Sequence, residues 1–65
     1  MKPYQERVIQ EKKELDEKMD KLRNFINAGC PGVGSNDAEV KRLSRQMEYM
    51  FDYSRVLGER IAAFT

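Results

Sequence analysis

The feature that most constrains this chain is a stripe through its second half, in which Val40, Leu43, Met47, Met50, Ser54, Leu57, Ile61 and Phe64 recur at alternating spacings of three and four residues. Such a heptad seam dictates one long helix with a face that must be buried against another helix. Two small residues mark it. Ser54 stands where an apolar residue is expected, and Gly58 lies beside the seam.

The first half supplies the neighbour. Pro3 suits the first turn of a helix, and no glycine or proline interrupts the run from Tyr4 to Ile26. Its apolar residues Tyr4, Val8, Leu15, Met19, Leu22 and Ile26, with Ile9 and Phe25 on the flanks, stay on one side of a 3.6-residue spiral, with Lys12 interrupting them. Opposite lie Glu14 with Lys18 and Glu17 with Lys21, spaced to pair along the helix. The stretch from Ala28 to Gly34 carries three glycines and a proline and reads as a turn. Asn36 is then the natural N-cap of the second helix, with Glu39 at the capping-box position and Asp37 favourable to the helix dipole. The expected fold is therefore all-α. One domain spans residues 1–65, with a helix over about 3–28, a turn over 29–35, and a helix over about 36–64. Two long helices joined by a short turn make an antiparallel hairpin.

A 65-residue chain of 7.6 kDa rarely builds a sufficient core by itself. One cysteine, Cys30, and no histidine leave no internal disulfide and no structural zinc ligand set, so self-association into a homo-oligomeric helical bundle, a dimer or tetramer, is the expected remedy. The second helix also carries apolar residues off its seam: Tyr49, Tyr53, Val56 and Ala63 on one side and Phe51 on the other. Ser54, Gly58 and Ala62 form a small-residue groove, which marks either a close helix crossing or one tolerated glycine. Met50, Ser54, Leu57, Gly58, Ile61 and Ala62 are the residues expected where subunits meet.

Charged residues make up 35% of the chain, yet net charge is only +1, so no overall field draws it to DNA, RNA or an anionic membrane. No apolar run is long enough to span a bilayer, and the N-terminus has no signal-peptide pattern; with the unpaired cysteine this points to the cytoplasm. Without histidine there is no ordinary nucleophile–base pair, and Gly32-Val33-Gly34-Ser35 lacks the strand and lysine of a phosphate loop. No enzyme activity, metal or cofactor is expected.

Closing the hairpin about Pro31 and Gly32 sets residues whose numbers sum to about 64 opposite one another, with Tyr4 near Arg60, Arg7 near Leu57, Glu11 near Tyr53 and Lys18 near Gln46. The open end then gathers Lys2, Tyr4, Arg7, Tyr53 and Arg60. Arginine forks grip phosphates and tyrosine faces stack on bases, so this group suits a nucleotide; the plainer account pairs the arginines with Glu6, Glu11 or Glu59 and lets the tyrosines cap the core. Lys12 either lays its stem on the core with its ammonium in water, or faces an internal ligand or a carboxylate across the oligomer. Gln46 is a register-setting contact or a reader of base edges.

Tyr4-Gln5-Glu6-Arg7-Val8-Ile9, the run from Glu11 to Lys18, and Leu22 with Phe25-Ile26 resemble the first helix of a family of short proteins in tailed-phage genomes, including crAss-like phages. Leu43, Gln46, Met50, Tyr53, Leu57, Gly58, Arg60, Ile61 and Phe64 are similar to its closing helix, and the Cys30 turn departs from its pattern. The layout also resembles the small oligomeric phage sponges of anti-CBASS and anti-Thoeris type. What the resemblance implies is immune evasion: a cyclic nucleotide signal sequestered without cleavage in the cytoplasm of an infected bacterial host. The residues expected to hold it are Tyr4, Arg7, Glu11, Lys12, Gln46, Tyr53 and Arg60. The alternative is a helical protein-binding inhibitor or coiled-coil assembly module with no small-molecule ligand.

Overall fold

The computed structural model describes residues 1–34 and 36–65; the Ser35 end of the expected turn lies outside the described residues. Helix α1 spans Pro3–Asn27 and helix α2 spans Asp37–Ala62, and the two pack against each other. The hairpin is a rod of 48 × 15 × 14 Å.

Each helix end is closed by its own sequence. At the start of α1, the Lys2 backbone N–H donates to Gln5 Oε1 at 3.1 Å, and Gln5 is buried. At its end, Cys30 N–H donates to Phe25 O and Gly29 N–H to Ile26 O, both at 3.0 Å, which is the Schellman pairing of the last free carbonyls. Gly29 has φ +85°, the left-handed conformation this closure needs. Cys30 is also left-handed (φ 53°) and is buried at the base of the turn. Asn36 caps α2, its side chain accepting from Glu39 N–H at 3.1 Å. Helix α2 ends at Ala62, so Phe64 stands just beyond it and still packs edge-on against Tyr4, with ring centres 5.8 Å apart at 80°.

That aromatic pair corrects the facing scheme. Observed cross-helix contacts join residues whose numbers sum to 66, as Lys12 with Ser54, 68, as Tyr4 with Phe64, or 70, as Asp16 with Ser54, rather than 64. Helical side chains lean toward their own N-terminus, which on α1 is the open end and on α2 is the turn. A lean of about one residue on each helix raises the sum by about two. Tyr4 accordingly meets Phe64.

The surface ion pairs also differ from the expected ones. Glu14 takes a hydrogen bond from Gln10 at 3.1 Å, and the charged pairs that close among the described residues are Lys12–Asp16, Asp20–Arg23, Glu39–Arg42 and Asp52–Arg55. Leu57 is the largest fully enclosed side chain, and Val8 and Cys30 complete the buried apolar set. The core is thin for the length of the rod.

Candidate functional site

The break in the heptad seam is filled from within the same chain. Ser54, buried between the helices, accepts a hydrogen bond from Lys12 Nζ at 3.2 Å and donates one to Asp16 Oδ1 at 2.5 Å. Lys12 Nζ also bonds Asp16 Oδ2 at 2.7 Å, one turn away on α1. Gly58 makes room for the lysine stem: a Cβ there would stand 3.3 Å from Lys12 Cε. The ammonium and the Ser54 hydroxyl donate to Asp16 and hold its carboxyl below the usual aspartate value. Lys12, Ser54 and Gly58 are thus committed to joining α1 to α2.

The other residues singled out from sequence fall into separate places. Tyr4 packs on Phe64 at the open end, where Arg7, near the start of α1, and Arg60, in the last turn of α2, are exposed. Glu11 is exposed on α1. Leu57 is fully enclosed within the hairpin, Ile61 is half-buried, and Ala62 is exposed at the end of α2. Gln46 and Tyr53 lie instead along the outer face of α2. Fourteen residues separate Gln46 from Arg60, about 21 Å along a helix. A single hairpin therefore does not bring them around one small ligand.

What gathers around Gln46 and Tyr53 is an open groove of about 480 Å³, lined also by Arg42, Arg45, Tyr49 and Met50. Spacings of three and four residues place all six on one side of α2. Tyr49 is 66% exposed and Tyr53 46%, so their ring faces are open to solvent. Arg42 Nε donates to Glu39 Oε1 at 3.1 Å, which steadies its guanidinium at one end of the groove. Arg45 has no ion-pair partner among the described residues. Gln46 Nε2 lies 3.9 Å from Met50 Sδ, a weak contact that leaves its amide available. Tyrosine faces offer stacking, the two guanidiniums offer bidentate contact to an anion, and the amide can read a polar edge. Arg42 and Arg45 lie away from the open end that the facing argument singles out; their signal in the sequence is their helical spacing from the tyrosine row.

Among the described residues no His, Cys, Asp or Glu cluster is placed to hold a metal ion, and no helix is long and apolar enough to cross a membrane. A family model described as Sequestin matches residues 2–63. Comparisons with curated proteins and with solved structures return no match.

Proposed function

The chain belongs to the Sequestin family, and on that premise we propose that it binds a cyclic nucleotide defence signal and sequesters it without cleaving it. The family name denotes holding rather than turnover. The observation that carries the ligand class is the α2 groove, where Tyr49 and Tyr53 present stacking faces alongside Arg42 and Arg45. A nucleotide needs both a flat apolar face for its base and a fork for its phosphate, and this groove presents them within about three turns of helix. In this reading the protein is of tailed-phage origin, acts in the cytoplasm of the infected bacterium as a homo-oligomer, and denies the signal to a host effector. Tyr4, Arg7 and Arg60 belong to a second basic and aromatic surface at the open end, with Glu11 one turn of α1 beyond Arg7.

Isothermal calorimetry against cyclic dinucleotides, cyclic trinucleotides and cyclic ADP-ribose isomers tests this reading. Saturable binding of at least one, with the nucleotide recovered intact by mass spectrometry, is the expected result. Failure to bind every one of them, or recovery as a cleaved product, overturns it.

The exposed apolar row of Tyr49, Tyr53 and Val56 favours a second reading, a helical inhibitor that docks on a host protein. Mass spectrometry of what heat releases from protein purified out of infected cells separates the two: a nucleotide supports the first, and a co-purifying polypeptide alone supports the second.

A further inference from the structure

Glu39 stands at the capping-box position of α2, yet its side chain turns forward to the groove. Its backbone N–H donates to Asn36 Oδ1 at 3.1 Å, while its carboxylate accepts from Arg42 Nε, also at 3.1 Å. A guanidinium has five N–H donors, so those on Nη1 and Nη2 stay free beyond the one that Glu39 takes. An anion gripped by that outer edge lies about 6–8 Å from the carboxylate, with the guanidinium between them.

This fixes the charge balance at the basic end of the groove. On a helix the neighbours of Arg42 are the residues three and four away, Ala38, Glu39, Arg45 and Gln46, and of these Glu39 and Arg45 carry charge. Arg45 is flanked one turn away by Lys41 and Glu48, which are opposite in sign and do not line the groove. Two guanidiniums and one carboxylate leave a net charge of +1. That matches a ligand carrying one negative charge better than the bare arginine pair would.

Building on the nucleotide reading of this groove, we infer that Glu39 is a specificity-determining residue. It biases the groove toward a phosphate linked on two sides, as in a cyclic nucleotide, and against the terminal phosphate of a linear one. The first carries one negative charge and the second close to two at pH 8. Linear nucleotides share the base, and with it the stacking on Tyr49 and Tyr53, so the phosphate is where the groove can tell them apart. Across about 8 Å, Glu39 weakens binding by a factor of about 2 per unit of ligand charge in a water-like medium, and about 30 at an effective dielectric of about 20. Glu39 is 41% exposed and the groove is open, so the effect lies near the lower end, about threefold per unit charge.

Cyclic AMP and AMP test this, because they share base and sugar and differ by about one charge on the phosphate at pH 8. Each is titrated into the full chain at low ionic strength while NMR follows the ring signals of Tyr49 and Tyr53. Glu39→Gln removes the charge and keeps an oxygen for Arg42 Nε. It should tighten cyclic AMP about threefold and AMP about ninefold, shifting the preference toward AMP by about threefold. Glu17→Gln makes the same change in overall charge on α1 and should leave the preference unmoved. A residue that merely steadied Arg42 would move both affinities alike. Equal responses to Glu39→Gln, or the same shift from Glu17→Gln, overturn the inference and leave the groove a nucleotide site. Binding of neither nucleotide, to wild type or to Glu39→Gln, removes the groove and the inference with it, while the calorimetric panel still decides the binding reading.

Discussion

Lys12 Nζ lies 3.2 Å from Ser54 Oγ, so the one cation within the apolar stripe of α1 meets the one hydroxyl within the seam of α2. Each breaks the pattern of its own helix and each satisfies the other. Ser54→Ala should destabilise the hairpin by about 1–2 kcal/mol, since it removes a hydrogen bond to a charged group on either side. Lys12→Met combined with Ser54→Ala should cost less than the sum of the two single losses, because the two side chains bond each other as well as Asp16. Urea titrations of the two singles and the double complete the cycle; additive losses would refute the pairing.

Asp16 gives this contact a pH dependence. Its carboxylate is favoured by the Lys12 and Ser54 hydrogen bonds, so its folded-state pKa is lower than the ordinary 3.8. A depressed carboxylate contributes stability that is fully present above its unfolded pKa and is lost as pH falls through the folded value. Wild type should therefore lose stability relative to Asp16→Asn as pH falls below about 4, with no difference in slope between pH 5 and pH 8. Thermal melts across that range decide it, and parallel pH profiles would count against the assigned network.

Gly58 shows how close the helices come. An alanine Cβ would meet Lys12 Cε at 3.3 Å, a flexible stem that can shift by a few tenths of an ångström. Helix propensity favours alanine by up to about 1 kcal/mol. Gly58→Ala should thus be stabilising by about 0.5 kcal/mol, while Gly58→Leu displaces Lys12 and destabilises by about 1–3 kcal/mol. Denaturation midpoints of the two variants should move in opposite directions.

The helix closure at Gly29 is sensitive to a side chain for a different reason. With φ at +85°, any Cβ is strained there although the space around it is open. Gly29→Ala should cost about 1–2 kcal/mol, whereas Pro31, which is exposed in the turn, should tolerate alanine within about 0.5 kcal/mol. Equal losses at the two positions would be inconsistent with a left-handed closure at Gly29.

Ligand binding should follow the tyrosine groove. Tyr49→Ala and Tyr53→Ala are each expected to weaken nucleotide binding by about 1–3 kcal/mol through lost stacking. Arg42→Gln should weaken it and reduce its dependence on salt, because a phosphate contact is screened and a stacked base is not. Calorimetry at two ionic strengths separates these effects, and unchanged affinity in Tyr49→Ala would remove the groove from consideration.

Much of this architecture is written locally. Hydrophobic spacing, Pro3 at the first helical position, the glycine-rich turn and the Asn36 cap act within a few residues, so the two helices and their turn are readable from order alone. The site was legible only in part. Gln46 and Tyr53 stand in the groove, but Arg42, Arg45 and Tyr49 became its companions only once the outer face of α2 was known to be free of α1.

The sequence by itself determined that this chain forms two amphipathic helices, because periodicity and caps are properties of neighbouring residues. Tertiary structure decided what the breaks in those patterns are for. Whether Lys12 meets water, a ligand or a carboxylate depends on which residue of α2 comes opposite, and that register follows from the turn and from the lean of side chains along each helix. The same register turns Leu57 inward and leaves Tyr49 and Tyr53 facing out, which is why the open groove lies along the outer face of α2.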